Sequence, residues 1–260
     1  MADVTTMDPI LVDGVGITFD TAGGQVTALD GVSVQLEAGS FTSLLGPSGC
    51  GKSTLLRIIS DLLTPTSGTV TVLGETPQVA REGRRLGFVF QDAALLPWRN
   101  AIDNVLLPLE IGPGKATAED KNRAEDLLAL VGLEGRAEAL PSQLSGGQRQ
   151  RVSIARALIT KPKVLLMDEP FGALDEITRD RLNEELLNIW QLTGTTVVFV
   201  THSIAEAVFL SQRVVVMSAQ PGRISEVHDI DLPGERSRAV RSLPQFAEYE
   251  ALLRRALEGA

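Results

Sequence analysis

The stretch Gly46-Pro47-Ser48-Gly49-Cys50-Gly51-Lys52-Ser53 constrains this chain more than any other feature. It follows Phe41 to Leu45, a short apolar run of buried-strand character. It precedes Thr54 to Ser60, whose apolar residues recur at helical spacing. Strand, glycine loop and helix in that order aim several backbone N–H groups and the positive end of a helix dipole at one point, which suits a polyphosphate. The pattern G-x-x-x-x-G-K-[ST] divides the work. The glycines let the backbone approach closely, Lys52 reaches the β- and γ-phosphates as a point charge, and the Ser53 hydroxyl ligates a magnesium ion bridging the same oxygens. Thr54 adds a phosphate contact.

The rest of the pattern builds a sheet around that loop. Ile10, Val12, Val15, Ile17 and Phe19 read as a strand, Gly23-Gly24 as a turn, and Val26 onward leads into a second strand near Val32 to Leu36, giving a small antiparallel sheet. Further strands are expected at Thr69 to Leu73 and Leu86 to Phe90. From Gln91 the spacing turns helical: Ile102 to Leu109, then Glu119 to Val131 behind a Thr117/Asp120 capping box, then Gln148 to Ile159, ended by Lys161-Pro162. Strand Val164 to Met167, helix Thr178 to Leu192, strand Thr196 to Val200, helix Ile204 to Leu210 and strand Arg213 to Met217 then alternate as in a parallel sheet with helices on both faces. A last helix, Pro244 to Leu257, puts Phe246, Tyr249, Leu253 and Leu257 on one side for docking on the body.

Composition narrows the function. The 260 residues carry 24 Lys+Arg and 33 Asp+Glu, net −9, with 43% hydrophobic residues, which excludes a disordered chain. Uninterrupted apolar runs are far shorter than the roughly 20 residues of a membrane span, and the segment before Ile10 holds Asp3 and Asp8 and no basic residue, so neither a transmembrane helix nor a secretory signal is expected and the chain belongs in the cytoplasm. One cysteine and two histidines exclude a disulfide within the chain and argue against a thiolate zinc site, so a metal should sit on oxygen. The acidic balance argues against nucleic acid, and Arg81, Arg84, Arg85, Arg236, Arg238 and Arg241 read as solvated faces.

Two more segments carry chemistry. Val164 to Met167 runs into Asp168-Glu169 at the carboxyl end of a buried strand, on the sheet edge where the glycine loop also lies. There Asp168 would hold magnesium through water and Glu169 would orient and deprotonate an attacking water. Leu144-Ser145-Gly146-Gly147-Gln148 opens a helix and is a second anion-seeking N-terminus. One nucleotide does not need both.

That pentapeptide, lying between the glycine loop and the acidic strand end, resembles the signature of the ATP-binding cassette (ABC) ATPases. Gln91 resembles the family's Q-loop glutamine, Gly172-Ala173-Leu174-Asp175 its D-loop, His202 its switch histidine, and Phe19 its adenine-stacking aromatic; together these span residues 19 to 202. The resemblance implies an α/β fold: a P-loop NTPase (RecA-like) core at 1–90 and 155–225 with an N-terminal antiparallel β subdomain, an inserted α-helical subdomain at 91–154, and a tail with a helix at 226–260. It implies ATP and Mg2+ as ligands. ATP would be held by Phe19, Gly46, Pro47, Ser48, Gly49, Cys50, Gly51, Lys52, Ser53 and Thr54, the metal by Ser53, Gln91 and Asp168, with Glu169, His202, Gln91 and Lys52 catalytic. It also implies a head-to-tail homodimer in which Ser145, Gly146, Gly147 and Gln148 cap the partner's nucleotide and Asp175 lies in the D-loop. Ser203 departs from the Asp of many relatives. A thiol reagent on Cys50 should block hydrolysis, with ATP protecting.

Phe90 to Asn100 with Asn104-Val105, and Val214 to Ser218 with Pro221-Gly222-Arg223-Ile224, resemble importers of the nitrate, sulfonate and taurine type. That likeness implies an integral membrane permease as partner, an associated solute-binding protein, and a place on the cytoplasmic face of the membrane. Leu95, Leu96 and Trp98 are candidates for the permease contact, against the alternative of a filled helical-subdomain core. An exporting or lipid-handling system, or a soluble ABC ATPase without a permease, is the competing reading. The latter usually brings tandem cassettes, coiled-coil insertions or basic arms, none of which this sequence has.

Overall fold

The computed structural model describes residues 9–21, 23–111, 116–232 and 236–259. Strands β1 (Ile10–Thr21) and β2 (Gly24–Leu36) form a long hairpin, and β4 (Ser67–Val72) pairs with the other edge of β1 to give an antiparallel sheet in the order β2-β1-β4. Val12 and Val15, three apart, are both buried although strict alternation would oppose them. A register shift between them, with Gly14 at φ 59°, resets the face.

The second sheet runs β5-β6-β7-β3-β8-β9. Strands β3 (Phe41–Leu45), β5 (Leu86–Val89), β6 (Val164–Asp168), β7 (Thr196–Thr201) and β8 (Arg213–Ser218) are parallel, and β9 (Arg223–Asp229) pairs antiparallel with β8. The sequence reading misses β9 because an edge strand of sequence RISEVHD is mostly exposed and has no apolar run to announce it. It also misses the short helix α2 (Pro77–Glu82), capped by Thr76.

The central strands bury both faces, which is why they read as continuous apolar runs. Phe41, Leu165, Met167, Val197, Phe199, Val214 and Val216 face a helical layer, whereas Leu44, Leu166, Val198, Val200, Val215 and Met217 face the other way. On that second face sit helix α1 (Lys52–Ile59) and the antiparallel sheet, so the expected helices on both faces are unequally divided. The helical layer holds α3 (Ala101–Glu110), α4 (Ala118–Leu130), α5 (Gly146–Leu158), α6 (Glu176–Thr193), α7 (Ile204–Leu210) and α8 (Pro244–Glu258). Helices α3, α4 and α5 pack on one another between β5 and β6 in the chain. The Thr117/Asp120 capping box forms, and α8 buries Phe246 and Leu253 against the body with Tyr249 and Leu257 beside them. Among the described residues no helix is long and apolar enough to cross a membrane.

Candidate functional site

The glycine loop leaves β3 and enters α1 as its sequence requires. Gly51 is the N-cap of α1 at φ 93°, and a Cβ there would lie 2.5 Å from Leu29 Cδ2, so both the left-handed backbone and the packing demand glycine. Lys52 is 4% exposed and its ammonium donates to Gly46 O at 2.7 Å and Pro47 O at 2.9 Å, lying across the loop. Ser53 Oγ donates to Asp168 Oδ1 at 2.6 Å, tying the loop to the end of β6.

Asp168 is buried, and that burial raises its carboxyl pKa above the ordinary value, with the Ser53 hydrogen bond opposing. Glu169 follows at φ 42°, its N–H donates to Val200 O, and its Oε2 lies 3.2 Å from His202 Nδ1 at the end of β7. A cavity of about 330 Å³ is lined by Ser48, Gly49, Gly51, Lys52, Ser53, Thr54, Gln91 and Glu169, with Ala28. Residues far apart in the chain thus converge on one space, lined by an ammonium, hydroxyls, an amide and a carboxylate. Phe19, 38% exposed on β1 opposite Val26, is not among the residues lining that space.

The Ser145 turn lies elsewhere. Ser145 caps α5 by accepting from Gln148 N–H, while Gln148 Oε1 accepts from Ser145 N–H. Ser145, Gly147 and Gln148 line a separate cavity of about 480 Å³ with Arg151, Thr178 and Arg181, sharing no residue with the glycine-loop cavity. Asp175 caps α6, accepting from Thr178 N–H at 2.9 Å, and these hydrogen bonds hold its carboxyl below the usual range.

Cys50 is fully buried in this conformation, with its sulfur beside the Lys52 ammonium. Leu95 and Leu96 are half-buried, Leu95 against the helical core, whereas Trp98 is 73% exposed. Two supports escaped the sequence reading. Gly222 packs so tightly under the loop that a Cβ would stand 2.1 Å from Cys50 O. Glu206, buried on α7, accepts from Thr201 Oγ1 at 2.6 Å, and Ser203 N–H donates to that same Thr201 hydroxyl, which fixes the turn carrying His202. Ser203 itself caps α7, a job its hydroxyl does as well as a carboxylate.

A family profile described as ABC transporter matches residues 29–172. An uncharacterised ABC transporter ATP-binding protein of Methanocaldococcus jannaschii is 48% identical over 92% of this chain and 87% of its own length. A taurine import ATP-binding protein of Rhizobium johnstonii is 46% identical over 94% of each chain, and an aliphatic sulfonates import ATP-binding protein of Bacillus cereus 42% over 91% of this chain and 92% of its own. Among solved structures, a dimeric bacterial ABC transporter cassette superposes with TM-score 0.76 at 35% identity, covering 85% of this chain and 99% of that one. The same cassette in a post-hydrolysis state, bound to ADP and Pi, superposes at 0.74 with the same identity and coverage.

Proposed function

The chain belongs to the ABC transporter family, and from that premise we propose that it is the ATP-hydrolysing subunit of an importer, acting as a head-to-tail homodimer beneath a membrane permease. The observation that carries this reading is that Ser145, Gly147 and Gln148 line a cavity sharing no residue with the glycine-loop cavity, Gly146 alone reaching a third cavity beside Gln91. A glycine-loop site completed by a Ser145 turn then calls for a second copy. The Ser145 hydroxyl and the Gly146 and Gly147 amides of that copy cap the γ-phosphate, and Asp175 stands at the same interface.

Within one copy, Gly46 to Gly51 cradle the phosphates and Lys52 exchanges its contacts with the Gly46 and Pro47 carbonyls for phosphate oxygens. Ser53, Asp168 and Gln91 fit a magnesium ion: a hydroxyl already 2.6 Å from a buried carboxylate is an all-oxygen donor set for a hard cation, and burial raises the Asp168 pKa although Ser53, Arg57 and Lys52 oppose it. The chemistry magnesium supplies there is neutralisation of the β- and γ-phosphate oxygens. Glu169 accepts the proton of the attacking water, and His202, held against it, contacts the γ-phosphate side. Phe19, exposed on the adjoining sheet, offers its ring to the adenine.

The core at 1–90 and 155–225 binds nucleotide, the helical subdomain at 91–154 carries the Ser145 turn, and 226–260 forms the tail. Exposed Trp98, with the half-buried Leu95 and Leu96, receives the permease on the cytoplasmic face of the membrane. The relatives named for taurine and aliphatic sulfonates support a small sulfonate anion as cargo, delivered by a solute-binding protein that never touches this chain. The test is to tag the chain in its host, solubilise membranes with ATP present and identify what copurifies. A multi-span permease is expected, and the ligand of its solute-binding protein names the cargo. Recovery of soluble or nucleic-acid-processing partners alone would overturn the transport reading and leave ATP hydrolysis standing.

A further inference from the structure

The segment that carries Gln91 is gripped from both sides by one helix. Before Gln91, Gln150 Nε2 donates to Phe90 O at 3.0 Å. After it, Arg156 Nη2 donates to Ala93 O at 2.6 Å and Nη1 to Ala94 O at 2.8 Å. Gln150 is 4% exposed, and burial pulls the Arg156 guanidinium below its ordinary pKa, so these carbonyls stand in for the water both side chains have lost. Ala94 is held at φ 45°, a left-handed conformation that is unfavourable for a residue with a Cβ and persists only where the surroundings impose it. The Arg156 fork on two successive carbonyls is such an imposition.

Gln150 and Arg156 both lie on α5, the helix whose N-cap is Ser145. One rod of helix therefore carries the Ser145 turn at its start and, along its body, the clamps on residues 90 to 94. The grip continues outward: buried Asn104 of α3 accepts from Leu96 N–H at 2.8 Å and donates to Leu96 O at 3.2 Å. Gln91 itself is exposed on a stretch with no regular structure, two residues beyond the last pair of β5 with β6.

We propose that Gln150 and Arg156 are positioning residues that lock the Gln91 segment to α5 and so hold the Gln91 amide at the glycine-loop cavity that it lines. The proposal rests on the reading of Gln91 as a ligand on the metal side of the nucleotide.

The experiment uses the full chain and a double-mutant cycle. Phosphate release is measured for wild type, Q91A, Q150A, R156A and Q91A/R156A, over a range of ATP and of Mg2+ concentrations. R156A is expected to keep its KM for ATP within about threefold and to lose kcat by roughly tenfold to a hundredfold, the scale of a misplaced catalytic group. Its half-saturating Mg2+ should rise several-fold, and adding R156A to Q91A should cost nothing further. Losses that multiply in the double variant, or an unchanged Mg2+ dependence, would overturn the lock. R156K, which keeps the charge but not the fork, serves if R156A fails to fold. Amide exchange reads the lock without catalysis. R156A and Q150A should each speed exchange across residues 90–96 and leave α1 protected, and unchanged exchange would overturn it. A wild type that hydrolyses no ATP would sink the functional reading, not the lock.

Discussion

Glu169 Oε2 lies 3.2 Å from His202 Nδ1, joining the residue that follows β6 to the residue that follows β7. The two strands are parallel neighbours paired Asp168 to Val200, so their ends are level and the residues just beyond them must meet. Glu169 turns away from the strand at φ 42° and donates its N–H to Val200 O, which points its carboxylate along the sheet edge toward the glycine-loop cavity. A non-glycine residue in that conformation is retained at a cost, and its place beside the cavity makes function the return.

Glu169→Gln removes the proton acceptor and keeps the shape. It should bind ATP with an affinity within a few-fold of wild type, lose turnover by about 10²–10⁴-fold, and accumulate as an ATP-bound dimer. Single-turnover phosphate release and sedimentation in ATP measure both. Hydrolysis surviving at a tenth of the wild-type rate would remove Glu169 from the role of base.

Gly222 stands under the glycine loop, donating its N–H to Ala28 O and accepting from Asp30 N–H, with no room for a Cβ beside Cys50 O. Gly222→Ala must push the Cys50 peptide outward, which misaligns the amides that meet the phosphates. Expected are a KM for ATP raised at least about tenfold and a stability loss of roughly 1–3 kcal/mol, the range for overpacking. Calorimetry and ATP titration check the two, and a wild-type KM would show that the loop tolerates the push.

The glycine loop, the acidic strand end and the central strands were legible in the sequence because each is a local pattern whose period or spacing states its own structure. Elements defined by their neighbours were not. Strand β9 is polar, Gly222 matters only through contact with a loop more than a hundred residues away, and Glu206 reads as an ordinary helix-surface acid until Thr201 covers its carboxylate. The Ser145 turn could be recognised by its residues, but its distance from the glycine loop required the fold.

Trp98 and Trp190 report different surroundings. Trp190 packs edge-on against Phe41 and donates its indole N–H to Gly39 O, whereas Trp98 is 73% exposed. An exposed indole among half-buried leucines is the kind of amphipathic anchor that interfaces use. In the isolated chain one fluorescence component should be quenched freely by iodide and be absent from Trp98→Phe. Addition of the permease should protect it, and continued quenching in the assembled transporter would place the contact elsewhere.

Asp168 offers a test of the metal site that needs no nucleotide. Burial raises its folded pKa above that of an unfolded aspartate, about 3.9, because the charged form is disfavoured where it lies. Above the raised value the folded state bears the cost of a buried charge that the unfolded chain does not, whereas below the unfolded value both states are neutral and the cost is gone. Asp168→Asn, which keeps an oxygen to accept from Ser53, should therefore melt higher than wild type at pH 8 without Mg2+. The gap should shrink as pH falls through the raised value toward about 4, because all other titrating groups are common to both proteins. Ser53→Ala removes the hydrogen bond that opposes the shift and should extend the pH window upward. With Mg2+ and ATP the order should reverse, since the wild type then gains a bound cation that the amide holds weakly. A stability gap independent of pH would mean that burial does not disfavour the Asp168 charge, and the case for a cation drawn to that carboxylate would lose its physical basis.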